Sequence, residues 1–444
     1  VQTQHAHLLI DCGLFQGGRK SESLNRPPTT PRQKLDAVLL THGHLDHTGR
    51  LPLLARRGHT MPIYATPATV EMTALIVRDA ARVQLADNER QNRRRARAGE
   101  PPQAPLYTPE DAENVLKLLQ PVPYQQSVPI AHGVRATWAE SGHMLGSASI
   151  LLEVEEHGQT RRVVFSGDLG PKDAMILKEY EPFTHADLVF LESTYGDRDH
   201  RPFKETVVEF LDIVKDAIDK KGKILVPTFA VGRAQLITGL LGWMFRHKKV
   251  KPFPVFLDSP MAIEATKIYM RHPELFDEGM TKFIAEGRLR DDLKTLKACV
   301  TAQESMAIND QPGPCLIMAG AGMCNAGRIL HHLRANLWKP DTHVMIVGFQ
   351  SEGSLGRRLV DREKMVRIHG EKIAVKAQVH TLGGFSAHAG QKDLLRWMAA
   401  IAPSKPQVAL THGEDGPRQE LARKLHSQFK IKATLPRMHE SIEL

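Results

Sequence analysis

Cysteine is scarce in this chain, and no long apolar run is present. The 444 residues include 4 cysteines, too few and too scattered for a secreted disulfide framework or a cysteine-rich zinc module. No apolar run approaches the roughly 20 residues needed to cross a bilayer, and no signal peptide is visible. We therefore expect a globular protein of the reducing cytoplasm, with no membrane partner.

Histidine and positive charge are what the chain has in quantity. It contains 22 histidines, and 59 Lys and Arg against 50 Asp and Glu give a formal charge of +9. A hydrophobic fraction of 41% and a charged fraction of 25% are ordinary for a folded domain and exclude disordered and collagen-like classes. Imidazole is the commonest metal ligand, and positive charge agrees with a polyanionic partner.

The order of apolar segments indicates an α/β protein with a divided first domain. Apolar strands that end in polar loops recur early in the chain and return near residue 372. Between them, strands alternate with helices, a pattern that predicts a mostly parallel sheet covered on both faces. We expect a first domain split into residues 1–195 and 375–444, with a second α/β domain inserted at 196–374.

An H-x-H-x-D-H motif is the strongest chemical signal in the sequence. Its ligand residues are His42, His44, Asp46 and His47, directly after an apolar strand. Four ligands within six residues cannot all reach one ion. Two ions about 3.5–4 Å apart would resolve this, with the first two residues on one ion and the last two on the other.

Other strand ends must then complete the two ligand sets. The candidates beside glycines are His143, Asp168 and His412. Asp168 is the natural bridge, because a carboxylate has two oxygens and can serve both ions. We expect Asp11 to stand behind the ligands, holding the far nitrogen of one of the histidines and so setting its tautomer.

Six motifs in order resemble those of a known family. They read "THGHLDHTGRLP", "SGHMLGSAS", "FSGDLG", "LESTYGDRDH", "GGFSAH" and "LTHGE". They are similar to the motifs of metallo-β-lactamase-fold nucleases of the β-CASP group, which include small bacterial ribonucleases and the nuclease subunit of the cleavage and polyadenylation specificity factor. The resemblance covers nearly the whole chain. It implies an α/β fold: a metallo-β-lactamase αββα sandwich, split in sequence, with an inserted α/β β-CASP domain.

The resemblance also implies a complete set of metal ligands. One zinc ion is expected on His42, His44 and His143. The other zinc ion is expected on Asp46, His47 and His412. Asp168 would bridge both ions.

Catalytic and substrate-binding roles are implied in the same way. Asp46 and Asp168 would orient or deprotonate the attacking water. His388 matches the family's catalytic histidine and is the expected proton donor to the leaving oxygen. Glu192 would hold that histidine in place. Substrate contacts are expected from Arg233, Arg328 and Ser386.

Together these implications describe a zinc-dependent ribonuclease of RNA processing or decay. It would cleave single-stranded RNA and leave 5′-phosphate and 3′-hydroxyl ends, and we predict endonucleolytic cleavage. Mn²⁺ is an allowed substitute for Zn²⁺, and a homodimer is compatible with the sequence. The alternatives are a 5′→3′ exoribonuclease, a DNA nuclease (which His412 disfavours), a small-ester hydrolase on the same scaffold, and a catalytically silent RNA-binding subunit.

Several basic and histidine residues lie outside these motifs. A predicted helix over residues 67–98 ends in an arginine-rich run, which would either guide an RNA backbone or simply solubilise the helix end. The run comprises Arg90, Arg93, Arg94, Arg95 and Arg97. His331, His332 and His380 are expected to be structural histidines.

Overall fold

The structure is a computed structural model that describes residues 1–16, 23–29 and 34–444. Its α-helices are α1 (Leu45–Thr48), α2 (Leu51–Arg56), α3 (Pro67–Arg97), α4 (Pro109–Leu116), α5 (Phe203–Asp219), α6 (Arg233–Arg246), α7 (Pro260–Tyr269), α8 (Glu278–Glu286), α9 (Leu289–Asp292), α10 (Ala302–Asp310), α11 (Ile329–Asn336), α12 (Leu355–Val360), α13 (Gln391–Ile401) and α14 (Asp415–Phe429). Its strands are β1 (Leu8–Ile10), β2 (Ala37–Leu39), β3 (Ile63–Ala65), β4 (Leu119–Pro121), β5 (Val128–Ala131), β6 (Val134–Glu140), β7 (Ala148–Glu156), β8 (Gln159–Phe165), β9 (Leu188–Glu192), β10 (Lys223–Pro227), β11 (Val255–Asp258), β12 (Leu296–Ala298), β13 (Cys315–Ala319), β14 (His343–Ile346), β15 (Met365–Ile368), β16 (Glu371–Ala374), β17 (Gln378–Thr381), β18 (Gln407–Thr411) and β19 (Ala433–Thr434).

The chain divides into two compact units. Unit 1 consists of Val1–Lys172, Glu179–Asp199 and His388–Leu444. Unit 2 consists of Asp173–Lys178 and His200–Ala387. Unit 1 is therefore discontinuous in sequence, and unit 2 is contributed mainly by one internal segment.

The second boundary lies further along the chain than the predicted position after residue 374. Strand β17 pairs in parallel with β14 in the sheet of unit 2. The Leu382 N–H then donates to the Ile346 carbonyl at 2.9 Å. These ladder hydrogen bonds tie residues 378–382 to unit 2, although the sequence reading placed them with the returning part of the first domain.

Unit 1 is built in four layers, and this confirms the predicted αββα sandwich. Strands β1-β2-β3-β4 form a parallel sheet, and β19-β18-β9-β8-β7-β6-β5 form a mixed sheet. Side chains from both sheets make a shared core that includes Leu8, Leu39, Trp138 and Ile150. The buried Trp138 indole N–H donates to the Leu40 carbonyl at 3.1 Å, so this large apolar side chain leaves no polar atom unpaired.

Helices cover the outer face of each sheet in unit 1. Leu51 and Leu54 of α2 and Val115 of α4 pack with residues of the smaller sheet. Trp397 of α13 and Leu421 of α14 pack with residues of the larger one. Since both faces of each sheet are buried, the strands read as apolar runs and their polar residues are concentrated at the strand ends.

Unit 2 is a second α/β layer structure with its own core. Its sheet has the order β12-β11-β13-β10-β14-β17, and every pair in it is parallel. A separate antiparallel hairpin joins β15 and β16. The parallel sheet predicted for the middle of the chain is present. Within the described ranges, no helix combines the length and apolar character that a membrane crossing requires.

Candidate metal centre

The H-x-H-x-D-H motif occupies the turn that follows β2 in unit 1. The short helix α1 begins inside the motif and lets its side chains fan out within one turn. The segment that follows β1 passes very close to this turn at Gly13. A Cβ added at Gly13 would lie 1.4 Å from the carbonyl oxygen of Asp46. Only glycine fits there, so backbone packing fixes the position of the loop.

Asp168, just beyond β8, lies at the centre of the histidine cluster and is 2% exposed. Its Oδ2 atom lies 3.6 Å from Nε2 of His42 and 3.6 Å from Nε2 of His143. Its Oδ1 atom lies 3.5 Å from Nε2 of His47 and 3.4 Å from Nδ1 of His412. The two carboxylate oxygens therefore face two different sets of imidazoles.

The donor atoms gather into groups of the size that a metal ion requires. One group is His42, His44, His143 and Asp168, and a second is Asp46, His47 and His412, with the candidate donor atoms of each group within 4.8 Å of one another. In the second group, Nε2 of His412 lies 3.5 Å from Oδ2 of Asp46. The structure thus brings all seven predicted ligands together in unit 1.

Buried polar atoms in the cluster fit a divalent cation. Nε2 of His42, Nε2 of His44 and Oδ1 of Asp168 are buried without a hydrogen-bond partner. A buried polar atom left in this state costs about 1–3 kcal/mol. Oxygen and nitrogen donors that converge without satisfying one another are the arrangement that metal coordination resolves.

The electrostatics differ between the two groups of histidines. Burial lowers the pKa of His42, and it lowers the pKa of His44 to about 4, so both are neutral, as a metal-binding imidazole must be. Burial also acts to lower the pKa of His47 and His412, but the neighbouring carboxylates together outweigh it: Asp168 and Asp11 for His47, and Asp168 and Asp46 for His412. The pKa of His47 is raised, and that of His412 is raised to about 9. A metal ion bound by these two rings would displace the proton that the raised pKa favours.

Asp11 lies behind the cluster and orients His47. Oδ2 of Asp11 is 2.7 Å from Nδ1 of His47. Asp11 also accepts hydrogen bonds from the Thr41 N–H at 2.8 Å and from the Thr41 hydroxyl at 2.7 Å. With Nδ1 held by a carboxylate, Nε2 of His47 faces the cluster, which is the arrangement typical of a supported ligand histidine.

Glu192 and His388 form a pair at the edge of the cluster. Nδ1 of His388 lies 3.4 Å from Oε1 of Glu192. The buried Glu192 carboxylate also accepts the N–H of Leu169 at 2.9 Å and the N–H of Thr194 at 3.1 Å. Burial lowers the pKa of His388, but the charge and hydrogen bond of Glu192 together with the charge of Asp168 outweigh burial, and the pKa is raised.

Comparison with known proteins agrees with this geometry. Matches are found to a Beta-lactamase superfamily domain over residues 7–227, a Beta-Casp domain over 234–359, and a Zn-dependent metallo-hydrolase RNA specificity domain over 372–436. Ribonuclease TTHA0252 of Thermus thermophilus is 40% identical over 410 residues, which cover 92% of this chain and 88% of that protein. Transcription termination factor FttA of Cenarchaeum symbiosum is 30% identical over 459 residues, which cover 100% of this chain and 68% of that protein.

The chain belongs to the metallo-β-lactamase β-CASP ribonuclease family. As a member of this family it is a metal-dependent hydrolase of the nuclease type. Family membership also supports divalent-metal use and RNA binding.

Three residues that support the family's ligand loops were missed by the sequence reading. Thr41 holds Asp11, as described above. The Thr194 hydroxyl lies 3.1 Å from Nδ1 of His412. Glu140 is buried and accepts the Gly142 N–H at 2.9 Å, beneath the loop of His143, and burial raises its pKa to about 8. Each lies within three residues of a ligand or of Glu192, and that proximity is the only signal the sequence offers.

The three predicted substrate-binding residues lie in unit 2. Arg233 donates to the Phe385 carbonyl, and Ser386 is buried. Arg328 differs from the expectation. Its guanidinium is engaged by the Asp258 carboxylate at 2.7 Å and by two backbone carbonyls. These contacts use three of the five guanidinium N–H donors and give Arg328 a structural role, and its contact with substrate stays a prediction.

Proposed function

We propose that this chain hydrolyses phosphodiester bonds of single-stranded RNA with two zinc ions, by endonucleolytic cleavage that leaves 5′-phosphate and 3′-hydroxyl ends. The division of the Asp168 oxygens between two sets of histidines carries the proposal. Relatives named as a ribonuclease and as a transcription termination factor support a nucleic-acid substrate.

Seven residues would hold the two ions. The first ion would take His42, His44 and His143, and the second would take the group completed by Asp46, His47 and His412, with Asp168 shared. A set rich in imidazole favours zinc, and the carboxylates permit Mn²⁺ as a substitute. When bound, the ions supply positive charge against the developing negative charge of the transition state and lower the pKa of water toward 7.

Asp46 and Asp168 would orient or deprotonate the attacking water. The two carboxylates face the same ring: Nε2 of His412 lies 3.5 Å from Asp46, and Nδ1 lies 3.4 Å from Asp168. Burial raises the pKa of the Asp168 carboxyl, but the surrounding histidines lower it further. Asp168 is therefore ionised and can accept a hydrogen bond from water.

His388 would protonate the leaving oxygen. Nδ1 of the ring faces Glu192, and the Nε2–H would be the donating group. The Glu192 carboxylate raises the pKa of the ring, which favours its charged form, and two backbone N–H groups hold Glu192 in place. Glu192 is thus a positioning residue. Proton donation by a positioned group such as His388 contributes about 10²- to 10⁴-fold to the rate.

The remaining predictions concern partners and setting. Arg233, Arg328 and Ser386 stay predicted substrate contacts on the strength of the family motifs. A homodimer and a cytoplasmic location also stay predictions.

The test is cleavage of single-stranded RNA labelled at either end by the zinc-loaded protein. Internal fragments from both labels support endonuclease action, and mononucleotides released from the 5′ end would indicate a 5′→3′ exonuclease. His388→Ala should reduce the rate about 10²- to 10⁴-fold with unchanged zinc content. His426→Ala, an exposed histidine of α14, is the matched control and should leave the rate unchanged. Ester hydrolysis without RNA cleavage would reject the proposal.

A further inference from the structure

Helix α3 of unit 1 begins in direct contact with two of the ligand loops, the loop that carries His143 and the H-x-H-x-D-H loop. The hydroxyls of Thr66 and Thr69 donate to the Gly146 carbonyl at 2.6 and 2.7 Å, and Gly146 lies three residues beyond His143. One turn later, Met72 packs on the H-x-H-x-D-H loop, since a Cβ added at Gly43 would lie 3.0 Å from the Met72 Cβ. The root of α3 is therefore part of the wall around the candidate metal centre.

The far half of α3 extends away from the core. The buried residues of the helix end at Ala81, although the helix continues to Arg97. At about 1.5 Å of rise per residue, Arg90 lies about 27 Å and Arg97 about 37 Å along the axis from Met72. Residues 82–106, which include this half of the helix and the segment that returns from it, are called the arm below.

The arm is a built structure because its return segment is fastened to the helix. The side-chain amides of Asn88 and Asn92 donate to the Gln103 carbonyl at 3.1 and 2.9 Å. The Gln103 N–H donates back to Asn92 Oδ1 at 2.8 Å. The Arg95 guanidinium donates to the Pro101 carbonyl at 2.8 Å. These contacts hold the helix end and the return segment together as one element.

Four arginines line one face of the arm. Arg90, Arg93, Arg94 and Arg97 are spaced i, i+3, i+4 and i+7, which places them on one side of a helix. All four are exposed. Arg90 pairs with Asp87, but among the described residues no carboxylate forms an ion pair with the other three. Like charges at this spacing destabilise a helix by about 0.2–0.5 kcal/mol per pair, so the fold itself gains nothing from this face.

We propose that this arginine face binds the phosphate backbone of an RNA substrate at a distance from the bond that is cleaved. The inference rests on the proposed ribonuclease function. Guanidinium groups bind phosphate oxygens in a bidentate manner, and α3 connects the face rigidly to the ligand loops. At about 3.4 Å per stacked nucleotide, the axial distances correspond to roughly 8–11 nucleotides from the reacting phosphate.

The proposal makes substrate length the decisive variable. A 6-nucleotide RNA is too short to reach the arginine face, whereas a 30-nucleotide RNA can occupy both positions. Replacing Arg90, Arg93, Arg94 and Arg97 by Gln keeps helix propensity nearly constant and removes four charges. The control variant replaces four exposed lysines of unit 2 by Gln: Lys251, Lys294, Lys297 and Lys372.

We expect the arm variant to raise KM for the 30-nucleotide RNA at least about tenfold and to leave kcat/KM for the 6-nucleotide RNA unchanged. The slope of log affinity against log salt should flatten by about 3, since each lost contact removes about 0.7 for single strands. The control variant should retain the parental affinity and slope.

Three results would overturn the inference. An equal loss in the control variant would mean that only overall charge matters. A parallel loss on both RNAs would mean that the arm supports the metal centre. Unchanged binding of the long RNA would assign the face to another partner, such as an acidic protein. Binding by fluorescence anisotropy needs no cleavage, so a parent protein that binds through the arm but cleaves neither RNA would reject the proposed function and leave this inference standing.

Discussion

Two buried aspartates in this molecule are each surrounded by basic side chains, yet their surroundings differ. Asp258 of unit 2 accepts from the Ser305 hydroxyl at 2.6 Å, from Arg328 at 2.7 Å and from Nε2 of His332 at 2.8 Å. Asp168 of unit 1 is faced by histidines at 3.4–3.9 Å, beyond ordinary hydrogen-bond length.

The difference in distance separates a structural network from a candidate metal centre. The Asp258 network is internally satisfied: each carboxylate oxygen has a short donor, and Nδ1 of His332 reaches the Asn309 amide oxygen at 3.1 Å. In the Asp168 cluster, three buried atoms that could bind a metal ion have no hydrogen-bond partner: Nε2 of His42, Nε2 of His44 and Oδ1 of Asp168. Composition alone does not distinguish the two clusters. What distinguishes them is whether the groups satisfy one another or converge on a common point.

The comparison is tested most strongly by Asp168→Asn. The amide keeps the volume of the side chain but cannot bridge two cations as a carboxylate does. We expect RNA cleavage to fall to background. This loss is larger than the about 10- to 100-fold decrease that follows removal of a residue hydrogen-bonded to a metal ligand. Bound zinc, measured by elemental analysis, should fall as well, with an unchanged far-UV circular dichroism spectrum. Full zinc content with full activity would contradict the assignment of Asp168.

The reciprocal change, Asp258→Asn, should affect stability instead of metal binding. It leaves Arg328 and His332 facing a neutral amide. Breaking a buried pair lowers the free energy of unfolding, and we expect about 3 kcal/mol, the lower end of the usual range. The lower end applies because the Arg328 side chain is 25% exposed. Urea denaturation should show a lower midpoint, and the folded protein should bind as much zinc as the parent. Loss of zinc or of cleavage without loss of stability would place Asp258 in the functional site and break the comparison.

Asp11→Asn tests how far the metal centre extends behind its ligands. Asparagine tolerates the positive φ of 58° at this position and keeps the volume, but it removes the charge that holds Nδ1 of His47. We expect zinc affinity, measured by competition with a chelator, to fall about 10- to 100-fold. An unchanged affinity would restrict the centre to the seven ligands. Thr41→Ser, which retains the hydroxyl contact to Asp11, serves as the mild control.

Much of unit 1 and its site could be predicted because both depend on local signals. Each ligand follows an apolar strand, and the H-x-H-x-D-H spacing places several of them in one short turn. Strands β3 and β4 of the smaller sheet were not predicted, since three residues each are too short for a period of two to be visible. The placement of β17 in unit 2 was also missed, because its hydrogen bonds to β14 join segments more than 30 residues apart.

Arg328 shows most clearly what a sequence motif leaves open. A glycine-rich turn before a helix is compatible with phosphate binding and with a tight structural connection. The structural role becomes visible only in the contact with Asp258, 70 residues away in sequence, and no local pattern carries it. The arm shows the converse. Its arginine run was visible from the start, but its fastening and its connection to the ligand loops became apparent only in three dimensions.

The sequence by itself determined the family, the αββα class and which residues could bind metal, because those depend on side-chain chemistry and on where strands end. The tertiary structure decided which polar residues satisfy one another and which converge. The physical reason is that a buried charge is defined by its neighbours within about 4 Å. In this chain those neighbours come from strands far apart in sequence.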